Sequence, residues 1–433
     1  MTAHLTDAGT RSDDGGTGGE PPRQSFWVAR GLVPERGPRR TLALASFVRQ
    51  IGNGLFMISA AIFFTRSVGL SVTQVGVGMG VAALAGLLAG IPIGHVADRR
   101  GPRRTYLVTL SVEALAMAAL VLVHSFWIFV LVIALTQVAA SSSEAARGPL
   151  IRGFAGPDPV RYRSYLRAIG NLAGGTSAIA AGVAVQMDTR AAYLALVLGN
   201  ALSFAVSAAV VLRLPTLPPV QAPPDSDRWI ALKDAPFVLV TVLDGIMSIQ
   251  GYVLVFALPL WIVDHSHAPR WLVGASAVLN TGLVVLLQVR ASRGIDTTSA
   301  AGRAMRRAGV VFLVGMVLIA VTAGMPGWLA AVLIVTGVVV HTFGELWVSA
   351  ASFELNFSLA PAHAQGQYSG LFGLGPGFAS AGAPSVLGLL CITWGAPGWL
   401  VMGAVFLLAG LAMPLVVRWA ERTRPIYHVL GEA

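Results

Sequence analysis

The sequence predicts an all-α integral membrane protein with twelve transmembrane helices in two pseudo-symmetric six-helix bundles, a 6+6 plan. Three observations predict it. Of the 433 residues, 55% are apolar and only 12% are charged, whereas a soluble domain carries roughly a quarter charged residues. The apolar residues gather in runs of about 18 to 25, long enough to cross a hydrocarbon core of roughly 30 Å as helices whose backbone groups bond internally. The Lys and Arg residues fall, with few exceptions, in alternate connections between those runs.

Taken in order, residues 1–40 are expected to be a disordered tail, because Gly15, Gly16, Gly18 and Gly19 with Asp13, Asp14, Pro21 and Pro22 offer almost nothing to bury. This segment lacks the basic start and apolar centre of a secretory signal, so the first helix is expected to anchor the chain uncleaved. Spans are expected near 42–65, 73–96, 105–124, 126–147, 165–187 and 191–213, forming an N-terminal bundle over 41–213. A stiff polar connector follows at 214–235, with Pro215, Pro218, Pro219, Pro223 and Pro224 beside Asp225, Asp227 and Arg228. The second bundle, 236–420, holds spans near 236–263, 271–290, 308–325, 327–350, 367–392 and 398–418, and 421–433 is a short tail.

The net charge of +10 acquires meaning from its placement. Only Arg66, Arg190 and Arg270 lie opposite the other basic residues, with Arg49 inside a span. This asymmetry predicts a multi-pass protein of the cell (plasma) membrane with both termini cytoplasmic, its basic residues meeting anionic lipid headgroups. Nucleic-acid binding is not expected, since no basic surface is interleaved with stacking aromatics on a soluble domain. Trp127, Trp261, Trp271, Trp328, Trp394 and Trp399 at outer ends, with Trp229 and Trp419 near the inner face, are expected to form interfacial belts. Cys391 stands alone in an apolar run, so it is read as a core side chain and not as part of a disulfide or metal site.

The two halves echo each other. Sliding one over the other, Asn53-Gly54 falls on Gln250-Gly251, and the glycine-rich fifth span, with Gly170, Gly174, Gly175 and Gly182, falls on the glycine-rich eleventh. Internal repeats are typical of transporters, whose solute sites lie between the repeats near mid-membrane.

The turn Gly94, Asp98, Arg99, Gly101, Arg103 and Arg104 resembles the signature of the major facilitator superfamily between helices 2 and 3, with Val96 and Pro102 departing from its commonest form. The 6+6 plan extends the resemblance over 41–420. It implies that Asp98 sits at a cytoplasmic gate, near the start of helix 11 and close to a basic residue at the end of helix 4, for which Arg147 is the candidate. An electropositive helix start attracts a carboxylate, which is how such a contact holds a gate shut. A solvated turn needed only for topology is the plainer alternative. A second stretch, Gly344-Glu345, Ala360-Pro361 and Gly366-Gln367-Tyr368, resembles multidrug-exporter-like members of the family, although Gln365 stands where those members often carry a basic residue.

Ionisable groups inside spans are the sharpest functional clues, because each costs on the order of 2.5–3.5 kcal/mol at the centre of a lipid-facing helix. Arg49, Glu113, Asp244, His341 and Glu345 are therefore expected to face a central cavity or one another, with Asn53 and Gln250 as polar neighbours. Arg49 and Asn53 share a helical face, as do His341 and Glu345, and His341 is read as a hydrogen-bonding neighbour of Glu345. Glu144 and Arg147 are read as an ordinary ion pair. Asp244 or Glu345 is the candidate proton-coupling carboxylate, or else a polar pair that fixes packing. Tyr252, Phe256, Trp347 and Phe353 are candidate aromatic contacts to a solute, or ordinary packing.

These features together predict an alternating-access carrier that exports small amphipathic organic molecules in exchange for protons. The alternatives are proton-coupled uptake of a nutrient or metabolite, and a membrane sensor or interaction protein that does not transport. No catalytic constellation is present, so an enzyme is not expected, and no metal is called for. A monomer is expected, with a proton gradient as driving force and no cofactor.

Overall fold

In the computed structural model, residues 37–64, 68–156, 159–187, 189–220 and 229–428 are described. The expectations for the tail 1–36, for Arg66, for connector residues 221–228 and for 429–433 lie outside them. Twelve long helices are described: α1 (Pro38–Ile62), α2 (Val72–Arg100), α3 (Pro102–Leu122), α4 (Phe126–Phe154), α5 (Pro159–Met187), α6 (Arg190–Val211), α7 (Ala235–Asp264), α8 (Leu272–Ala291), α9 (Thr298–Ala320), α10 (Gly327–Ser358), α11 (Ala362–Thr393) and α12 (Ala396–His428). Nine of these are long and apolar enough to cross a membrane by composition alone; the other three, α1, α5 and α9, begin with clusters of Arg.

Local chemistry sets the boundaries. Ser71 opens α2 with a capping box, accepting from Gln74 N at 3.1 Å while its own N–H donates to Gln74 Oε1 at 2.9 Å. Thr189, Asp234 and Thr297 cap α6, α7 and α9 in the same sense. Between α2 and α3 a single residue, Gly101, takes φ +94°, a conformation that a side chain would strain, and Pro102 restarts the helix at its first position. The chain thus reverses direction almost without a loop.

At the basic end the helices run further than the apolar runs that mark them. The last turns of α4 and α10 continue to Phe154 and Ser358, α1 starts at Pro38 inside the expected tail, α9 starts at Thr298, and α12 reaches His428. Backbone hydrogen bonding carries these helices past the point where hydropathy stops.

Helix neighbours repeat from half to half. In the first half α1 packs on α5 and α6, α2 on α4, and α3 on α4 and α6; adding six to every label gives the packing of the second half. Between the halves α2 meets α11 and α5 meets α8, which is again one contact seen twice. Two apolar cores result, one from Leu42 to Leu214 joined by Phe357, the other from Ile230 to Ala420 joined by Ile91. Close approach is made by small residues: a β-carbon on Gly54 would press on Ser177 of α5, and one on Gly245 would meet the backbone of Gly375 in α11.

The outer surface carries exposed Leu88, Leu115, Leu131, Val278 and Leu286, a belt that only lipid solvates favourably. Trp127, Trp271, Trp328, Trp394 and Trp419 are exposed, but Trp261 and Trp399 are not belt residues. They are fully buried with ring centroids 5.5 Å apart, and Trp261 donates to Thr322 at 2.9 Å. Cys391 is buried in the second core.

Candidate functional site

The halves are latched at the basic end by charges from the first half acting on helix ends of the second. Asp98, in the last turn of α2, accepts from the backbone N–H of Gly366 at 2.7 Å and of Gln367 at 3.1 Å, at the start of α11. These amides have no partner within their own helix, and the carboxylate also meets the positive end of the helix dipole. His95, one turn earlier, accepts from the Gln367 side chain at 2.7 Å. The approach is so close that a β-carbon on Gly94 would collide with the Gly366 carbonyl.

At the other side of the latch Arg152 of α4 donates to the carbonyls of Phe357 at 3.2 Å and Ala360 at 2.9 Å, and to Oε1 of Gln365 at 2.6 Å. Those carbonyls close the C-terminal end of α10, where a cation is stabilised. Arg163 of α5 donates to Phe353 O at 3.0 Å, pairs with Glu354 at 3.4 Å and lies over the Phe357 ring at 4.8 Å. Carboxylate on helix start and guanidinium on helix end are complementary to the same interhelix connection.

Of the expected gate residues, Gly94, Asp98 and Gly101 stand in or beside this latch. Arg99 and Arg104 are exposed, and Arg103 donates to the carbonyls of Val211 and Leu212, closing α6. Arg147 is not the partner at the end of helix 4; it pairs with Glu144 at 3.1 Å. The helix runs two turns beyond Arg147, and Arg152 occupies the place expected for it.

Beyond the latch, a cavity of about 690 Å³ opens between the halves. On α2 it begins at Gly90, one turn from the latch, and on α11 at Ser369; on α7 it spans Asp244 to Tyr252 and on α10 Glu345 to Phe357. It therefore reaches from mid-helix on α2 and α7 toward the basic end on α4, α5 and α10. Its charged lining is Glu144, Arg147 and Arg167 from the first half and Asp244 and Glu345 from the second, with Tyr252, Phe353 and Phe372 among its aromatic walls.

The two walls treat charge differently. In the first half Arg49, 3% exposed, pairs with Glu113, 1% exposed, at 3.1 Å, and also with Glu144; Ser143 donates to Glu113 at 3.0 Å. In the second half Asp244, 1% exposed, takes one hydrogen bond from Ser352, and its Oδ2 is buried with no donor. Glu345 receives Asn280 Nδ2 at 2.9 Å. His341 is not a neighbour of Glu345 in hydrogen bonding: its Nε2 lies 3.1 Å from Gln250 Oε1 and its ring packs on Phe312 at 4.7 Å. Four residues along a helix share a face but reach different partners on it.

Arg49 and Asp244 do not face each other across the path, because Arg49 is consumed inside its own bundle. Asn53 is half-buried and makes no hydrogen bond among the described residues. Gln250 and Tyr252 line the cavity, whereas Phe256 packs near Gly388 and Trp347 beside Phe343 at 6.5 Å, away from it. Hydropathy had no means of finding Arg152, Arg163, Arg167 and Glu354, which lie in stretches read as loop or inner margin; only the charge itself at a helix end signals them. The same holds for Asp234, which accepts from Tyr368 at 2.7 Å and pairs with Arg424, tying α7, α11 and α12 together.

The model of the Major Facilitator Superfamily matches residues 42–384. This chain belongs to the major facilitator superfamily. It is thus a multi-pass membrane transporter, a carrier and not an enzyme. Among curated relatives of the superfamily, the multidrug resistance protein MdtH of Klebsiella pneumoniae is 24% identical over 365 residues, covering 82% of this chain and 87% of that protein. MdtH of Cronobacter sakazakii is 25% identical over 330 residues, covering 74% and 78%. Among solved structures, a bacterial homologue of the iron transporter ferroportin in an outward-facing state superposes with a TM-score of 0.69 at 14% identity, over 89% of this chain and 99% of that one. The human organic anion transporter MFSD10 gives 0.63 at 15%, over 88% and 99%. These likenesses at low identity show the shared superfamily fold.

Proposed function

We propose that this chain exports small amphipathic organic molecules by alternating access, exchanging them for protons, with its basic end and both termini in the cytoplasm of the cell whose plasma membrane it crosses. The observation that carries the reading is a cavity of about 690 Å³ between the halves, lying directly behind a latch that is shut at the basic end. Cavities of this size suit drug-sized solutes. Two relatives named for multidrug resistance favour export over uptake.

Transport follows from the latch. With Asp98 on the start of α11 and Arg152 and Arg163 about the end of α10, the cavity is sealed from the basic side and a solute leaves toward the other. Rocking the halves apart at the basic end breaks those charge-to-helix-end contacts and admits a new solute. Asp244 is the coupling carboxylate, because a buried oxygen with no donor is a place for a proton or a cation, and a carrier that must hold one or the other exchanges them. Glu345, already held by Asn280, assists.

The test is accumulation of a fluorescent amphipathic dye in everted membrane vesicles under an imposed gradient, acid inside. Wild-type protein accumulates the dye and a protonophore abolishes it; Asp244→Asn removes the response while the protein stays folded. Full activity of both Asp244→Asn and Glu345→Gln overturns proton coupling through these groups, and accumulation by intact cells instead of vesicles overturns the direction.

A further inference from the structure

The cavity is electrically polarised, and the polarity names a solute class. On the first-half wall Glu144 is already engaged by Arg49 and Arg147. That leaves Arg167 of α5, which makes no hydrogen bond or ion pair among the described residues and whose Nε is buried without an acceptor. On the second-half wall no cation faces Asp244 or Glu345 among the lining residues. Asp244 keeps one oxygen buried and undonated.

The two orphaned groups both adjoin α10. Ser352 donates to Asp244, and its neighbour in sequence, Phe353, lines a small void together with Arg167. Both groups line the one cavity, with Phe353 and Phe372 in its walls. Leaving either charge unanswered in a low-dielectric cavity is costly, and a solute that answers both at once removes both costs.

We propose that the cavity binds zwitterionic amphipaths: an aromatic or apolar body carrying a basic amine that seats on Asp244 and an acidic group that seats on Arg167. The guanidinium fork suits a planar carboxylate, the buried carboxylate oxygen suits an ammonium N–H, and the aromatic walls take the body. This inference rests on the cavity being the solute site, as proposed above, but on neither the direction of transport nor the coupling ion.

Equilibrium binding to the purified full chain in lipid nanodiscs tests it with one skeleton in three charge states: 2-naphthylalanine as the zwitterion, its methyl ester as the cation and its N-acetyl derivative as the anion. Titration calorimetry is expected to show the zwitterion binding at least about tenfold more tightly than either derivative, the usual scale of one charged hydrogen bond. Arg167→Gln should bring the zwitterion to the level of the ester and leave the ester unchanged, with Arg167→Lys keeping part of the preference. Asp244→Asn should bring it to the level of the N-acetyl compound and leave that compound unchanged. Unchanged thermal melting shows that each variant is folded. Equal affinity for the three probes, an ester that binds as tightly as the zwitterion, equal loss for ester and zwitterion in Arg167→Gln, or no binding of any probe overturns the proposal. Failure of the export reading would appear in the vesicles and leave this binding pattern intact.

Discussion

The two halves share a fold but not a way of holding charge. Within the first, Arg49, Glu113, Glu144 and Arg147 answer one another, so that bundle carries its ions as a closed set. Within the second, Asp244, Glu345 and His341 are met by Ser352, Asn280 and Gln250, all neutral. The same inequality crosses the latch, where the first half contributes Asp98, Arg152 and Arg163 and the second contributes mostly peptide N–H and C=O groups. A closed ion set resists change, because altering one member strands another. A carboxylate held by a neutral hydroxyl or amide can gain or lose charge without unseating a partner. One half is thereby suited to be the frame and the other to be the part that loads.

Four substitutions probe this difference between the halves. The largest effect is expected for Arg49→Leu, which strands Glu113 in a dry bundle; removing one member of a buried pair costs about 3–5 kcal/mol. Thermal unfolding in detergent should show a large loss of stability, and an unchanged melting temperature would mean that the first-half ions are no frame at all. Next comes Gly94→Ala. Its methyl group meets the Gly366 carbonyl, and overpacking of this kind costs about 1–3 kcal/mol. Spin labels introduced by Arg104→Cys and Arg306→Cys, both exposed on the basic end, should report a wider separation with dye transport lost; an unchanged distance distribution would show that the helices part easily there.

Asp98→Asn keeps the shape but turns one of the two accepting oxygens into a donor facing an amide N–H, and it removes a charge worth up to about 2 kcal/mol at a partly buried helix end. The same spin labels should show the open population rising by up to about thirtyfold, as that energy implies. The smallest effect is expected for Glu345→Gln. Its partner Asn280 can bond an amide as well as a carboxylate, so stability should change by less than about 1 kcal/mol, within the range of neutral partner swaps. A loss as large as that of Arg49→Leu would erase the distinction between the halves.

The sequence makes the spans legible because lipid enforces them: every run of apolar residues long enough to cross corresponds to a helix, and the signature beginning at Gly94 places Asp98 on the start of α11. What hydropathy cannot give is the length of a helix beyond the bilayer. Counting apolar residues ends α4 near Arg147 and so points to Arg147 as the basic residue at that helix end, whereas Arg152, more than a turn further, is the one that reaches Ala360 and Gln365 beside the latch. Nor does periodicity choose among neighbours on a face. His341 and Glu345 are one turn apart, yet one reaches α7 and the other α8. Trp261 and Trp399 sit at span ends like the belt residues, but face inward and meet edge to face. Arg167 is not marked by sequence, because an Arg near a span margin is normally a lipid anchor, and its isolation depends on which walls surround it.

Asp98 grips main chain, and that has a consequence for genetics. Where two side chains pair, a lost charge can be restored by swapping signs on the two partners, and revertants gather opposite the original lesion. Amide groups at the start of α11 belong to every residue but proline, so no replacement at 366 or 367 can supply an inverted counterpart. Revertants of an Asp98 lesion should therefore map elsewhere, to places that tilt the equilibrium between the two halves as a whole.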